Sequence, residues 1–135
     1  MRYALLLFLA VSFNASALVG TGNQLIDQAR AFLRYAENPN SPNADLIGRA
    51  YWQGLVTGLA EIYSDHSYIG AVCYPEGATA NQLSEMAARY LVDHPEERTK
   101  NASILVYCSH VEHFGSMMSP ACPQHEMWRK THIAQ

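Results

Sequence analysis

Apolar positions recur along most of this chain at a spacing of three to four residues, and the recurrence predicts helices. Leu25, Ile26, Ala29, Phe32 and Leu33 form a first inward stripe, with Thr21 or Asn23 as its cap. Asn38 to Asn43 is turn chemistry and ends that helix. Asn43 or Asp45 caps a second helix, whose expected stripe is Ile47, Ala50, Tyr51, Gly54, Leu55, Gly58, Leu59 and Ile62. Tyr63 to Gly77 has neither the helical nor the strand period, and a loop of that length in a compact domain is most often functional. Thr79-Ala80-Asn81-Gln82 is a capping box for a third helix with Leu83, Met86, Ala87, Tyr90 and Leu91 inward. It stops at Asp93-His94-Pro95, and Pro95 suits the first turn of a fourth helix. That helix turns Ala102, Leu105, Val106, Ser109 and Phe114 inward and ends at Gly115.

The pattern predicts a small, single-domain, all-α bundle of about four helices, core 23–116, with an irregular tail over 117–135 that Trp128 docks. The short corner at Pro95 makes the last two helices antiparallel, bringing the Cys73 region near Gly115. Gly54 and Gly58 share one helical face, which predicts the close approach of another backbone. Helix packing is the preferred reading and a ligand contact the other.

The first residues change the picture of where the chain acts. Arg2 precedes an apolar run from Tyr3 to Phe13, too short to span a bilayer comfortably, and Ala15-Ser16-Ala17 is a small-x-small cleavage site. Residues 1–17 are therefore expected to be an export signal, leaving 18–135 as the mature, periplasmic chain. The formal charge of −3 grows by one negative unit when Arg2 is removed. This excludes the basic footprint of a nucleic-acid binder and a polybasic membrane anchor. Three cysteines in an oxidising compartment fit one disulfide and one leftover thiol, and all three pairings are open.

Candidate chemistry is sparse. His110 and His113 are three apart on a helix, but a zinc-protease motif needs histidines at i and i+4 with Glu after the first. His125-Glu126 begins like that motif, yet Arg129 stands where the second His belongs. Solvated helix-face histidines are the expectation, with no metal and no cofactor. Cys108 and His110 do not face each other on a helix, and no nucleophile elbow, phosphate loop or dinucleotide fingerprint is present.

Three segments carry a family likeness. Tyr51-Trp52-Gln53-Gly54 matches a Tyr-x-x-Gly helix, Cys73-Tyr74-Pro75-Glu76-Gly77-Ala78-Thr79 a Cys-x-Pro-x-Gly-x-Thr turn, and Tyr90 to Arg98 a Tyr-Leu-x-x-His-Pro-Glu-Glu-Arg corner. From Leu25 to Phe114 the chain resembles the Rap/Tai family of periplasmic immunity proteins, which protect bacteria against type VI secretion effectors. Two cysteines common in that family fall on Ala29 and Gly48 here, both absent together. The family's closing Phe-Pro-Cys reads Phe114-Gly115-Ser116. The resemblance implies that Cys122 replaces the missing cysteine and bonds Cys73, with Cys108–Cys122 as the rival.

It also implies a non-enzymatic binding protein that sterically blocks a cell-wall-degrading effector, a peptidoglycan amidase above all. The expected partner is a protein of the peptidoglycan-hydrolase class, with a homodimer left open. Tyr63, Asp65, His66, Tyr68, Tyr74 and Glu76 on the long loop are the interface candidates, because aromatic anchors on loops commonly dominate binding energy. The alternative is a periplasmic acid-stress chaperone of the HdeA kind, suggested by six histidines that charge between neutral and acid pH.

Overall fold

The computed structural model describes residues 20–41 and 45–133. The expected export signal and the candidate cap Asn43 lie outside them. The described residues form an all-α bundle: α1 (Gly22–Glu37), α2 (Leu46–Ser64), α3 (Ala80–Asp93), α4 (Ala102–Phe114) and α5 (His125–His132). The first four helices share one core, centred on Trp52, Leu91, Leu105, Val56 and Val106.

Local chemistry sets the helix ends. Thr21 caps α1, its N–H donating to Gln24 Oε1 at 2.9 Å. Asp45 caps α2, its Oδ1 accepting from the Gly48 N–H at 2.8 Å. The Thr79 capping box forms as expected: Thr79 N–H donates to Gln82 Oε1 at 3.0 Å, and Gln82 N–H to Thr79 Oγ1 at 3.3 Å. The α3 C-terminus would leave carbonyls without partners. Arg98 reaches back and donates to Leu91 O and Val92 O, both at 2.6 Å. His94 stacks on Tyr90 with centroids 4.1 Å apart. These contacts give the Tyr90–Arg98 corner its physical purpose.

Three expectations are corrected. Pro95 does not open α4: Pro95–Glu97 is a separate 3₁₀ turn, and α4 begins at Ala102. The tail is not wholly irregular, because α5 forms within it and buries Trp128. The third correction is the larger one. The buried side of α2 is Gly48, Trp52, Val56, Ala60 and Tyr63. The stripe expected to face inward contains Ile47, Tyr51 and Ile62, which are 85%, 52% and 56% exposed. This helix is apolar on both sides, and the wide Trp52 ring takes the core, where its Nε1–H donates to Ser84 O on α3 at 2.9 Å.

The glycine reading changes with it. Among the described residues no neighbouring atom lies within 4 Å of where a Cβ would stand on Gly54 or Gly58, so no described helix packs there. The close approach occurs one face round, at Gly48, where a Cβ would collide with the Asp45 carboxylate and meet Ala31 Cβ of α1 at 3.3 Å.

Candidate functional site

The α2–α3 connection, residues 65–79, has two lobes. The first is a tight bend. Asp65 Oδ1 accepts from the Ser67 N–H at 2.8 Å, and that bond holds its carboxyl below the usual range. Tyr68 N–H donates to Asp65 O at 2.9 Å and Ala71 N–H to Tyr68 O at 3.0 Å. Val72 N–H returns to Tyr63 O at 2.8 Å and closes the lobe at the end of α2. Its tip presents Tyr68, 43% exposed, and Ile69, 70% exposed.

The second lobe is fastened to the C-terminal segment. Cys73 N–H donates to Gly115 O and Met117 N–H to Ala71 O, each at 2.9 Å, an antiparallel bridge between Val72 and Ser116. Gly115 makes the corner possible with φ of +81°, a conformation that favours glycine. Cys73 is bonded to Cys122, with Cα atoms 5.9 Å apart, and Cys108 is the free thiol. Gln124 Nε2–H donates to Tyr74 O at 3.1 Å. Ala71, Met117, Cys122 and Trp128 form a second small core beneath the loop. His132 Nε2 lies 3.0 Å from Ser67 O, tying the end of α5 to the first lobe.

Not every candidate side chain faces outward. Asp65, Tyr68 and Glu76 are exposed and His66 is half-buried. Tyr63 and Tyr74 are buried, which removes them from the set a partner can touch directly. The Tyr63 hydroxyl donates to Ser103 O of α4 at 2.9 Å, and burial pushes its pKa up to about 12. The Tyr74 hydroxyl lies 2.7 Å from His110 Nδ1. On the ring's other side Nε2 is 3.0 Å from Leu83 O, which can only accept, so Nε2 carries the proton and Nδ1 accepts from Tyr74. Burial holds the His110 pKa below its ordinary value and the Tyr74 pKa above its own. His110 is thus a core residue and not a solvated helix-face histidine. With both ring nitrogens committed, it cannot share a metal with the exposed His113.

Sequence reading missed Ile69 and Met118, the latter 54% exposed on the segment paired with Ala71. A single apolar residue in a period-free stretch carries no signal of its own exposure. Between the second lobe and the C-terminal segment runs a groove of about 650 Å³ bordered by Pro75, Glu76, Phe114, Ser119 and Gln124. What the site offers is shape: a braced protrusion with an aromatic and an aliphatic side chain at its tip and carboxylates at its flanks. No described helix is long and apolar enough to cross a membrane.

Comparison with curated proteins and with solved structures finds no match to this chain. Cys122 and α5, which brace the loop, fall after the last residue that the family comparison covers. That comparison matches residues 21–115, from the α1 cap to the α4 terminator, to the model of Rap1a immunity proteins, and the chain belongs to that family.

Proposed function

We propose that this protein is exported to the periplasm by residues 1–17 and there blocks a cell-wall-degrading type VI effector, a peptidoglycan amidase. Membership of an immunity family implies a protein effector as partner. Inhibition is steric: the loop over 65–77 covers the enzyme's cleft and no bond is made or broken. Tyr68 is the anchor, and Ile69 joins Asp65, His66 and Glu76 around it.

The observation that carries this reading is the bracing of the loop. Its ends and middle are held by the Tyr63–Ser103, Tyr74–His110 and His132–Ser67 hydrogen bonds and by the Cys73–Cys122 bond. Ordering one flexible side chain at an interface costs about 0.5–1.5 kcal/mol, so a loop already fixed before contact retains more of its contact energy as affinity. Bracing of this kind is unnecessary for a mere connection between helices.

The test is inhibition of purified type VI peptidoglycan amidases, beginning with any that the reading frame next to this gene encodes. Stoichiometric inhibition is expected, and the Tyr68→Ala/Ile69→Ala double variant should weaken it while leaving the helical circular dichroism unchanged. Full inhibition by that variant would remove the loop from the interface.

A further inference from the structure

Both ring nitrogens of His132 face backbone carbonyls. Nδ1 lies 3.0 Å from Trp128 O, one turn back on α5, and Nε2 lies 3.0 Å from Ser67 O in the first lobe of the loop. A carbonyl oxygen only accepts, and a neutral imidazole carries a single N–H. The neutral ring therefore satisfies one of these contacts and points a lone pair at the oxygen of the other. The imidazolium carries two N–H groups and satisfies both. Among the described residues no other histidine is so placed. His110 has one carbonyl and one hydroxyl, which suits the neutral ring. His94 and His125 each meet a single carbonyl, Tyr90 O and Met117 O, and either charge state keeps that bond.

We propose that His132 is a proton-operated latch. As the imidazolium it ties α5 to the first lobe and steadies the Tyr68–Ile69 tip; on losing its proton it releases one of its two ties. The surroundings favour the charged ring. It stacks on Trp128, with centroids 4.6 Å and planes 20° apart, and an indole face attracts a cation. It is the last residue of α5, where the helix dipole favours positive charge. Trp128 is itself buried among Ala71, Met117 and Cys122, which fixes the point from which His132 reaches the loop.

The neighbouring charges come from α5 and from the loop. On α5, Arg129 and Lys130 oppose a further positive charge, and Glu126 offsets Arg129 through an ion pair of 3.0 Å. His125 stacks on the same indole at the longer centroid distance of 6.2 Å. In the first lobe, Asp65 brings negative charge to Ser67 itself by accepting from its N–H at 2.8 Å; His66 and the phenol of Tyr68 are the lobe's other titratable groups. The 116–124 segment adds no titratable side chain beyond the bonded Cys122. The latch thus strengthens as pH falls, opposite in sign to His110, whose neutral form the core requires. It lies in α5, beyond the residues matched to the family, so it belongs to this chain's own C-terminal extension. Its consequence rests on the proposed role of the 65–77 loop: a tip held more firmly has less ordering left to do on contact.

Hydrogen exchange of the full chain, expressed as protection over the free-chain rate, tests the latch between about pH 5 and pH 8, where histidines change charge. Protection at Trp128 and Ile133 should rise about tenfold from the upper to the lower end, the worth of one charge-assisted hydrogen bond. Protection at Leu91 and Leu105 should not rise. His132→Gln, uncharged throughout, should abolish the rise, and His125→Gln should retain it. Flat protection in α5 of the unaltered protein overturns the proposal. So does a rise that survives His132→Gln or vanishes with His125→Gln. No effector enters this experiment, so the loop's part in inhibition is decided separately by the Tyr68→Ala/Ile69→Ala variant.

Discussion

Tyr74 and His110 meet in the core through a hydrogen bond of 2.7 Å, and their rings lie edge to face with centroids 5.5 Å apart. One belongs to the loop and the other to α4, so the bond fastens the loop to the bundle. It also reaches α3 through Leu83 O. Tyr74→Phe keeps the ring packing and strands the His110 Nδ1 lone pair in the buried core. Leaving a buried acceptor without a partner costs about 1–3 kcal/mol, and urea unfolding of the variant should show a loss in that range. A change within error would mean the bond contributes nothing.

The same ring gives stability a pH dependence of known sign. Burial depresses the His110 pKa below its ordinary 6.5, so the unfolded chain takes up a proton at a pH where the folded chain does not. The contribution is fully present above about pH 6.5 and is lost as pH falls from there through the folded value. The carboxylates Asp65 and Glu126 are also depressed, but both are fully exposed and titrate at lower pH. Tyr74 stays a neutral hydroxyl donor to the ring because burial raises its pKa, and His113 on α4 adds to the lowering at His110. Chemical unfolding at a series of pH values should show the midpoint falling below pH 6.5. His110→Gln should be less stable near neutrality and flatter across the window. An unchanged slope in that variant would move the effect to another histidine. The same experiment bears on the acid-chaperone alternative, which requires that the acid-loosened chain suppress aggregation of unrelated proteins.

Much of the architecture was legible because local chemistry and the global fold agree. The Thr79–Gln82 box, Gly115 and the apolar spacing of α1, α3 and α4 each point to the same helices. The site was less legible for identifiable reasons. On α2, Trp52, Val56 and Ala60 repeat at the same period as Tyr51, Leu55 and Leu59, so spacing cannot choose a face; ring size and the Ser84 carbonyl choose it. Tyr63 and Tyr74 sit at the edge of a period-free stretch, where position suggests exposure, yet each finds a hydrogen-bond acceptor inside the bundle. His110 beside His113 looks like a polar face until Leu83 O and Tyr74 are seen to satisfy both nitrogens. The eight residues of α5 are too few to show a period, and its one anchor, Trp128, is held by the second small core.

The glycines of α2 separate by surroundings. Gly58→Ala puts a methyl group into space that no described residue fills and reduces the freedom of the unfolded chain, so it should stabilise the fold by about 0.4–1 kcal/mol. Gly48→Ala drives the same methyl toward the Asp45 carboxylate, which must abandon its cap on Gly48 N–H, and crowds Ala31. Losing such a cap costs about 0.5–2 kcal/mol, so this variant should be destabilised. Thermal unfolding under dilute conditions should move in opposite directions for the two. A shared direction would mean that helix propensity outweighs contact at Gly48.

The Cys73–Cys122 bond joins residues 49 apart and should act on two scales. Globally, it restricts the unfolded chain, and for a closed loop of this length the chain-entropy account gives about 4 kcal/mol at its upper end. Replacing both cysteines by serine should lower stability by about 2–4 kcal/mol. Locally, the 116–133 segment is held by a small apolar cluster, Met117 and Trp128 beside Cys122, and by a handful of hydrogen bonds to the loop. Without the covalent tie this segment should open well before α1–α4, since regions with few buried contacts open at the lowest free energy. Hydrogen exchange of the double-serine variant should show lost protection at Met117 and Trp128 while Leu91 and Leu105 stay protected. Loss of protection at all four together would mean that the tail and the four-helix core unfold as one unit, and that the loop depends on the bond for its folding as well as for its rigidity.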